Sequence, residues 1–121
     1  MTTKSEEEFI PYSTQCIDSK DVDAVIQVMR EDFLTQGPKV DEFEGALKDY
    51  FKVKHCVVAN SATSALHLSC VALGLGPGDL VLTSPNSFVS SATTSLFCGA
   101  EIDFVDICPL TLNMDMDRLE E

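Results

Sequence analysis

The stretch that decides the fold is HCVVANSATSALHL, residues 55–68. It begins with an almost wholly apolar run, residues 55–59, which is typical of a strand buried on both faces of a sheet. Small and hydroxyl-bearing residues follow, and Ser61 then opens a helix that we expect to end at Gly74. A strand that leads directly into a helix is the first half of a β-α-β unit, so the stretch predicts a parallel sheet.

The same pattern continues downstream. Residues 80–83, LVLT, predict a second strand, and a helix over residues 87–98, closed by Gly99, leads to a third strand at residues 102–105. Asp115 has the position of an N-cap for one more helix. Strand, helix, strand, helix and strand with short links predict an α/β fold with a parallel or mixed sheet flanked by helices.

Two helices are predicted ahead of this unit. Asp18 is a suitable N-cap for the first, and Pro38 opens the second after a loop. Apolar residues recur at helical spacing in both helices, at Val22, Val25, Ile26 and Met29 and at Val40, Phe43, Leu47, Tyr50 and Phe51. Residues 1–9 are expected to form a mobile leader. We therefore divide the chain into an amino-terminal segment, residues 1–17, and a partial large domain, residues 18–121.

The composition excludes several classes of function. Hydrophobic residues make up 45% of the 121 residues, enough for a folded core, and 20 acidic against 8 basic side chains give a formal net charge of −12. A phosphate backbone repels such a surface, so we expect no nucleic-acid partner. No apolar run approaches the roughly 20 residues that cross a bilayer, and the start lacks the pattern of a signal peptide. A cytoplasmic location without a membrane partner is therefore predicted.

The cysteines, histidines and paired aspartates predict no metal site. The five cysteines are an odd number without a CxxC pair, which favours reduced thiols over a disulfide framework. His67 and Cys70 stand three residues apart on one predicted helix, but a zinc site needs about four converging ligands, so packing is the better interpretation. Strand alternation separates the side chains of Asp103 and Asp106, which we interpret as solvated and turn residues.

Two segments follow strands at the edge where parallel sheets bind ligands. The first is residues 60–64, whose small side chains allow an anion to approach the backbone closely. The amides of Ala62 and Thr63, with the Thr63 hydroxyl and the positive end of the helix, could hold a phosphate group. The same spacing is that of an ordinary N-cap at Ser61, and spacing alone favours that simpler interpretation.

The second segment is residues 85–88, PNSF. Phe88 at the mouth of a polar site could stack on a flat heteroaromatic ring, although the pattern alone is as consistent with an ordinary core residue. A phosphate site and a stacking ring at adjacent strand ends together indicate a planar phosphorylated cofactor.

Several motifs in register carry a resemblance to one family. They are LTQGP at 34–38, FE at 43–44, VKH at 53–55, NSATSAL at 60–66, GLGPGD at 74–79, PNSFV at 85–89, GA at 99–100 and FVD at 104–106. From about residue 9 to residue 121 the chain resembles the DegT/DnrJ/EryC1/StrS sugar aminotransferases, which have the type I fold of enzymes dependent on pyridoxal 5′-phosphate (PLP). The resemblance implies that the chain is the start of the large domain of such an enzyme, with PLP as cofactor.

The resemblance also implies roles for individual residues. Ala62 and Thr63 would bind the cofactor phosphate, Phe88 would lie against the pyridine ring, and Tyr12 and Thr35 would line the sugar pocket. Tyr12 and the LTQG and SAT motifs are most similar to family members of pseudaminic acid synthesis. Those members transfer an amino group from glutamate to C4 of a UDP-linked 4-keto-6-deoxy-N-acetylhexosamine. Family members are homodimers whose active sites are shared between subunits.

No catalytic residue is implied within this chain. The family's Schiff-base lysine, and the aspartate that pairs with the pyridinium nitrogen, correspond to positions beyond 121. The lysines that match no catalytic position are Lys4, Lys20, Lys39, Lys48, Lys52 and Lys54. We therefore expect the chain alone to be inactive and to expose strand edges and apolar helix faces. Two other interpretations stay open: a non-catalytic module that binds a sugar nucleotide or another partner, and a truncated product without function.

Overall fold

A computed structural model describes residues 10–31 and 33–119. The predicted leader at residues 1–9 lies outside the described residues. The chain divides into two units, residues 1–56 and residues 57–121. None of the helices in the described ranges is long and apolar enough to cross a membrane.

The first unit contains the two predicted leading helices. Helix α1 spans Ser19–Met29 and is capped by Asp18, whose carboxylate accepts hydrogen bonds from the first turn. Helix α2 spans Pro38–Phe51 and begins with proline at its first position, where a missing amide proton costs nothing. The apolar faces of both helices are largely exposed, with Met29 at 69% and Tyr50 at 79% of their full accessible surface. The exposure of apolar helix faces expected from the sequence is confirmed.

The second unit contains the rest of the regular structure. Helix α3 spans Ala62–Ala72, strand β1 Leu80–Thr83, helix α4 Ser90–Leu96 and strand β2 Glu101–Phe104. The strands pair in parallel, with Leu80 opposite Glu101 and Thr83 opposite Phe104. Helix α4 packs against α3 and against both strands. This arrangement is the predicted β-α-β crossover with a further helix beside it.

The core of the second unit is made of small side chains around α4. Ala92, Ala100 and Val105 are buried, together with Thr94 and Ser95. The two buried hydroxyls lose no hydrogen bonds, because Thr94 donates to the Ser90 carbonyl at 2.8 Å and Ser95 donates to the Ala92 carbonyl at 2.6 Å. Small satisfied side chains allow α4 to approach its neighbours closely.

The prediction of a strand at residues 55–59 is wrong for this chain. Within the described residues, the sheet has two strands, β1 and β2, and the apolar run is not one of them. A strand needs a neighbouring strand with which to form its ladder. The predicted burial is not found either, since Val57 is 78% exposed. From Val57 onward the run lies in the second unit, where Val57, Ala59, Ala65 and Leu68 line a cavity of about 400 Å³.

Two other boundaries differ from expectation. Helix α4 begins at Ser90 rather than at residue 87, because residues 85–87 form bends and the Asn86 amide donates to the Ser84 hydroxyl at 3.2 Å. The helix that Asp115 was expected to cap is a single 3₁₀ turn, Met116–Arg118, and Asp115 does accept a hydrogen bond from the amide of Asp117. The cap is confirmed, and the described helix is short.

Helix ends follow the predicted glycine signals. Gly74 and Gly99 have φ angles of +77° and +81°, the left-handed conformation that favours glycine after a helix. After Gly74, the amide of Leu75 donates back to the carbonyl of Cys70 at 3.1 Å and so closes the end of α3. The run of three alternate glycines from residue 74 is therefore a helix stop and turn.

Candidate cofactor site at the strand ends

The start of α3 leaves two backbone donors open. Ser61 is the N-cap, with extended backbone angles of φ −158° and ψ 159°, and its hydroxyl accepts a hydrogen bond from the Ser64 amide at 3.1 Å. The helical ladder begins with the Ala65 amide, which donates to the Ser61 carbonyl at 3.0 Å. Among the described residues, the amides of Ala62 and Thr63 have no acceptor. Both belong to the first turn, whose amides have no partner within the helix.

Helix α1 provides a contrast within the same chain. There the Asp18 carboxylate accepts from the Lys20 amide at 2.7 Å and from the Asp21 amide at 3.2 Å. The Asp21 carboxylate accepts in turn from the Asp18 amide at 2.9 Å and completes a capping box. The chain therefore fills the start of α1 with its own oxygens and leaves the start of α3 available to a ligand.

The polar side chains around the α3 start are bonded to one another. The Ser61 hydroxyl donates to the Ser64 hydroxyl oxygen at 3.1 Å, and the Ser64 hydroxyl donates to Asn60 Oδ1 at 2.7 Å. Each of these hydroxyl protons therefore has an acceptor inside the segment. The arrangement holds three side chains beside the helix start without using the two open amides.

The chemistry of the α3 start suits a phosphate group. Two adjacent amides and the positive end of an eleven-residue helix attract an anion without the help of a lysine or arginine. The residues that a bound anion would approach most closely, Ser61 and Ala62, are small and exposed. Thr63 is half-buried and carries a hydroxyl that can add a further donor.

Phe88 lines a cavity of about 260 Å³ at the end of β1. Its side chain is 73% exposed, so it is not a core residue here. The other residues that line the cavity are Thr83, Ser84, Pro85, Ser87, Val89, Ser91, Ala92 and Phe104. The hydroxyls of Ser87 and Ser91 share a hydrogen bond of 2.8 Å. Aromatic walls with a few polar groups are the surroundings in which flat heteroaromatic rings bind.

The structure brings some of the predicted site residues together and not others. Ala62 and Thr63 are adjacent at the start of α3, and Phe88 lines a cavity formed by residues of 83–104. Both features belong to the second unit. Tyr12 and Thr35 belong to the first unit. Both are exposed, and Tyr12 has 106% of its reference accessible surface.

Comparison with known families decides the kind of protein. A model of the DegT/DnrJ/EryC1/StrS aminotransferase family matches residues 15–121. The chain belongs to this family. It is 50% identical over 111 residues to the UDP-4-amino-4,6-dideoxy-N-acetyl-β-L-altrosamine transaminase of Campylobacter jejuni strain 81-176, an alignment that covers 92% of this chain and 29% of that protein.

Solved structures agree with the family assignment. PseC of Helicobacter pylori, an aminotransferase of pseudaminic acid biosynthesis, superposes with a TM-score of 0.82 at 37% identity, over 91% of this chain and 30% of PseC. Spr1654 of Streptococcus pneumoniae in its PLP form superposes with a TM-score of 0.86 at 36% identity, over 92% of this chain and 28% of Spr1654. The α/β fold predicted from the sequence, the start of a PLP-dependent aminotransferase, is confirmed. The chain spans less than a third of the length of these relatives.

Sequence reasoning missed three residues of this DegT/DnrJ/EryC1/StrS segment. Phe104 supplies a second aromatic side chain to the Phe88 cavity, and its position as the last residue of β2, opposite Thr83, was the available signal. From the sequence alone, Asn60 and Ser64 are only small neighbours of the predicted phosphate site. The spacing that could have identified their bond is the four-residue separation between them, which places side chains on one face of a helix start.

Titratable groups in the aminotransferase segment have local partners. Hydrogen bonds from the backbone of Thr111 and Leu110 hold the pKa of the Cys108 thiol below its ordinary value. The hydrogen bond from Lys39 to Glu42 at 2.7 Å raises the pKa of that lysine. The His67 ring packs edge-on against Phe97 with 5.5 Å between ring centroids, as expected for a packing residue. Within the described ranges, no group of side chains could hold a metal ion.

Proposed function

We propose that this chain is part of a PLP-dependent aminotransferase that transfers an amino group from glutamate to a 4-keto nucleotide-sugar. The observation that carries the proposal is the open start of α3, where two adjacent amides lack acceptors among the described residues of a chain in an aminotransferase family. An aminotransferase needs a fixed phosphate anchor for its cofactor, and this helix start has the required donors. When bound, PLP supplies the electron-accepting ring that lets an amino group pass between donor and acceptor.

In the proposed site, the residues of this chain bind and orient the cofactor. The amides of Ala62 and Thr63 hold the phosphate, and the Thr63 hydroxyl adds a donor. Phe88 lies against the flat ring and excludes water from one face. Because the phosphate and the ring are joined covalently in the cofactor, fixing one restricts where the other can lie.

The substrate is proposed to be a UDP-linked 4-keto-6-deoxy-N-acetylhexosamine. The 50% identity to the altrosamine transaminase of C. jejuni supports this class of sugar, as does the similarity to PseC. Tyr12 and Thr35 are proposed to line the sugar pocket, for which their exposed phenol and hydroxyl offer hydrogen-bonding groups. The product would serve pseudaminic acid synthesis in the cytoplasm, and the whole enzyme would be a homodimer with shared active sites.

The chain is proposed to carry the cofactor anchor and not the catalytic lysine. It spans 29% of the length of the altrosamine transaminase that it matches. We propose that residues 18–121 form the first part of the large domain, preceded by an amino-terminal segment at residues 1–17. By itself such a segment lacks the amine needed as base and nucleophile, so it does not transaminate.

The experiment that tests the proposal starts from the coding DNA downstream of codon 121. We expect the reading frame to continue and to encode the family's lysine after a further strand. The protein from that frame, supplied with PLP, glutamate and the UDP-linked 4-keto sugar, should yield the 4-amino sugar and 2-oxoglutarate, detected by mass spectrometry. The test variant is the same protein with Ala62→Pro. The substitution removes one anchoring amide, so the variant should need more PLP for the same rate.

The proposal is overturned if the protein from the whole frame takes up PLP and aminates no 4-keto nucleotide-sugar. It is also overturned if the Ala62→Pro protein has the same PLP requirement as the unaltered protein, because the α3 start would then not hold the phosphate. A protein that binds the UDP-sugar without aminating it would favour the alternative of a non-catalytic sugar-nucleotide-binding module.

A further inference from the structure

We propose that Ser64, held by Asn60, is a positioning residue that keeps the Thr63 amide available for the cofactor phosphate. The inference rests on the proposed function, because it concerns the same α3 start. It adds a role for two side chains that would not themselves touch the phosphate. The role explains why the Ser61 N-cap accepts a hydrogen bond from one amide of α3, although an N-cap can accept from two.

An N-cap oxygen can accept from the second or the third amide of its helix. Asp18 does both in α1, at 2.7 Å from the Lys20 amide and 3.2 Å from the Asp21 amide. Ser61 in α3 accepts only from the third, the Ser64 amide at 3.1 Å. The second amide of α3 belongs to Thr63 and has no acceptor in the described part of the chain.

The side chains around the α3 start explain this difference. The Ser61 hydroxyl donates to the Ser64 hydroxyl oxygen, 3.1 Å away, and accepts from the Ser64 amide. Both hydrogen bonds hold the Ser61 side chain beside residue 64. The Ser64 hydroxyl proton is directed at Asn60 Oδ1 at 2.7 Å, which leaves the Ser64 oxygen free to accept from Ser61. Asn60 thus sets the direction of Ser64, and Ser64 sets the direction of Ser61.

Loss of these side-chain hydrogen bonds would release the Ser61 hydroxyl. In a Ser64→Ala chain the Ser61 oxygen keeps a capping role and is free to turn toward the Thr63 amide, as Asp18 does toward Lys20 in α1. A phosphate would then have to displace that oxygen before it could use the amide. A net hydrogen bond between neutral groups corresponds to about a two- to tenfold loss of affinity.

The test is a nuclear magnetic resonance titration of the chain with pyridoxamine 5′-phosphate, an amine form that does not condense with lysines. Two readouts are taken from one sample: the hydrogen-exchange rate of the Thr63 amide without ligand, and the dissociation constant from the shifts of the Ala62 and Thr63 amides. Pyridoxamine, which lacks the phosphate, is the ligand control. We expect Ser64→Ala to slow Thr63 exchange and to weaken binding, and Ser64→Thr, which keeps the hydroxyl, to match the unaltered chain.

The deciding variant is the double substitution Ser61→Gly with Ser64→Ala. Glycine is tolerated at an N-cap and removes the competing oxygen, so we expect the double variant to bind more tightly than Ser64→Ala alone. A merely structural role for Ser64 predicts that the second substitution makes binding worse. If Ser64→Ala does not fold, Asn60→Ala, which leaves the helix sequence unaltered, tests the same step and should change both readouts in the same direction.

The possible results separate this inference from the proposed function. Unchanged Thr63 exchange in Ser64→Ala and Asn60→Ala overturns the inference, and so does a double variant that binds no better than Ser64→Ala. Failure of the unaltered chain to bind pyridoxamine 5′-phosphate at the two amides counts against the proposed phosphate site, and the positioning of Thr63 for a phosphate falls with it. The exchange rates still decide whether Ser64 controls the Ser61 side chain.

Discussion

Thr83 stands directly opposite Phe104 in the parallel ladder, so β1 and β2 end at the same level. Both residues line the cavity that also contains Phe88, which lies five residues after the end of β1. The ends of two adjacent strands therefore form one wall of the proposed ring site. In open parallel sheets this edge is where ligands bind.

Replacing Phe88 by leucine should weaken binding of pyridoxamine 5′-phosphate by about two- to tenfold, because an aromatic pair contributes about 0.5–1.5 kcal/mol beyond its buried area. The matched control is Phe97→Leu, since Phe97 is similarly exposed and packs against His67, away from the residues that line the cavity. Affinity is measured by titration at the Ala62 and Thr63 amides. Equal losses in both variants would contradict a specific role for Phe88.

Removing the Ala62 amide should weaken phosphate binding without breaking α3. Proline is favoured at the first helical position, and the extended backbone of Ser61 is compatible with a following proline. A hydrogen bond to a charged group contributes about 1.5–3 kcal/mol, so Ala62→Pro should raise the dissociation constant of pyridoxamine 5′-phosphate by about tenfold or more.

The control for that substitution is Ser19→Pro, at the same position of α1. Asp18 also has an extended backbone, and the Ser19 amide is not among those that Asp18 caps. Circular dichroism should show both helices retained in both variants. A loss of ligand affinity in Ser19→Pro equal to that in Ala62→Pro would mean that the effect does not come from the anchoring amide.

Tyr12→Phe and Thr35→Val should raise the KM for the nucleotide-sugar in the full-length enzyme and leave cofactor affinity unchanged. Each removes one hydroxyl, which corresponds to about a five-fold change if the sugar uses it. Steady-state kinetics with the UDP-linked 4-keto sugar measure the change. If cofactor affinity falls and the KM for the sugar stays constant, the assignment of these residues to the sugar pocket is wrong.

The Cys108 thiol should react with iodoacetamide at a lower pH in the unaltered chain than in Thr111→Val. Backbone hydrogen bonds from Thr111 and Leu110, and a hydrogen bond from the Thr111 side chain, lower the pKa of this thiol. Because the pKa is lower in the folded chain than in the unfolded chain, ionisation of Cys108 favours folding at high pH, and this contribution is lost as the pH falls through the folded pKa. Thr111→Ser retains the hydroxyl and should keep the reactivity, as followed by mass spectrometry of the Cys108 peptide.

Asp18→Ala should destabilise α1 by about 1 kcal/mol, the usual cost of losing an N-cap side chain. The loss arises from two amide hydrogen bonds to the Asp18 carboxylate. Hydrogen exchange along α1 measures it, with Asp23→Ala as a control that removes an equal charge from within the same helix. Equal exchange in the two variants would show that the charge, and not the cap, stabilises the helix.

Local chemistry explains which elements the sequence could predict. Helix starts and ends depend on residues within one turn of the boundary. The structure has helix boundaries next to Asp18, to Pro38 and to the glycines after α3 and α4. Helix α4 begins at Ser90 and not at residue 87 as predicted, because the Ser84 hydroxyl accepts a hydrogen bond from the Asn86 amide and favours a turn over a helix. That competition depends on a side-chain rotamer, which residue spacing does not specify.

Non-local pairing explains what the sequence could not predict. The run at residues 55–59 has the composition of a buried strand, but strand formation depends on which other segment lies beside it. The same limit applies to the site: the helix-start pattern at residues 60–64 predicted the open amides, while the shared cavity of Phe88 and Phe104 depends on the register between two strands.

The segment from Leu80 to Phe104 holds β1, α4 and β2 within a short length of chain. The two strands of the described sheet pair with each other and α4 packs on both, so these partners emerge from the ribosome close together. Contacts between residues near in sequence form quickly, because little chain entropy is lost in closing short loops. The strand ends that form the wall behind Phe88 are therefore expected to come together early, while the polypeptide is still being translated.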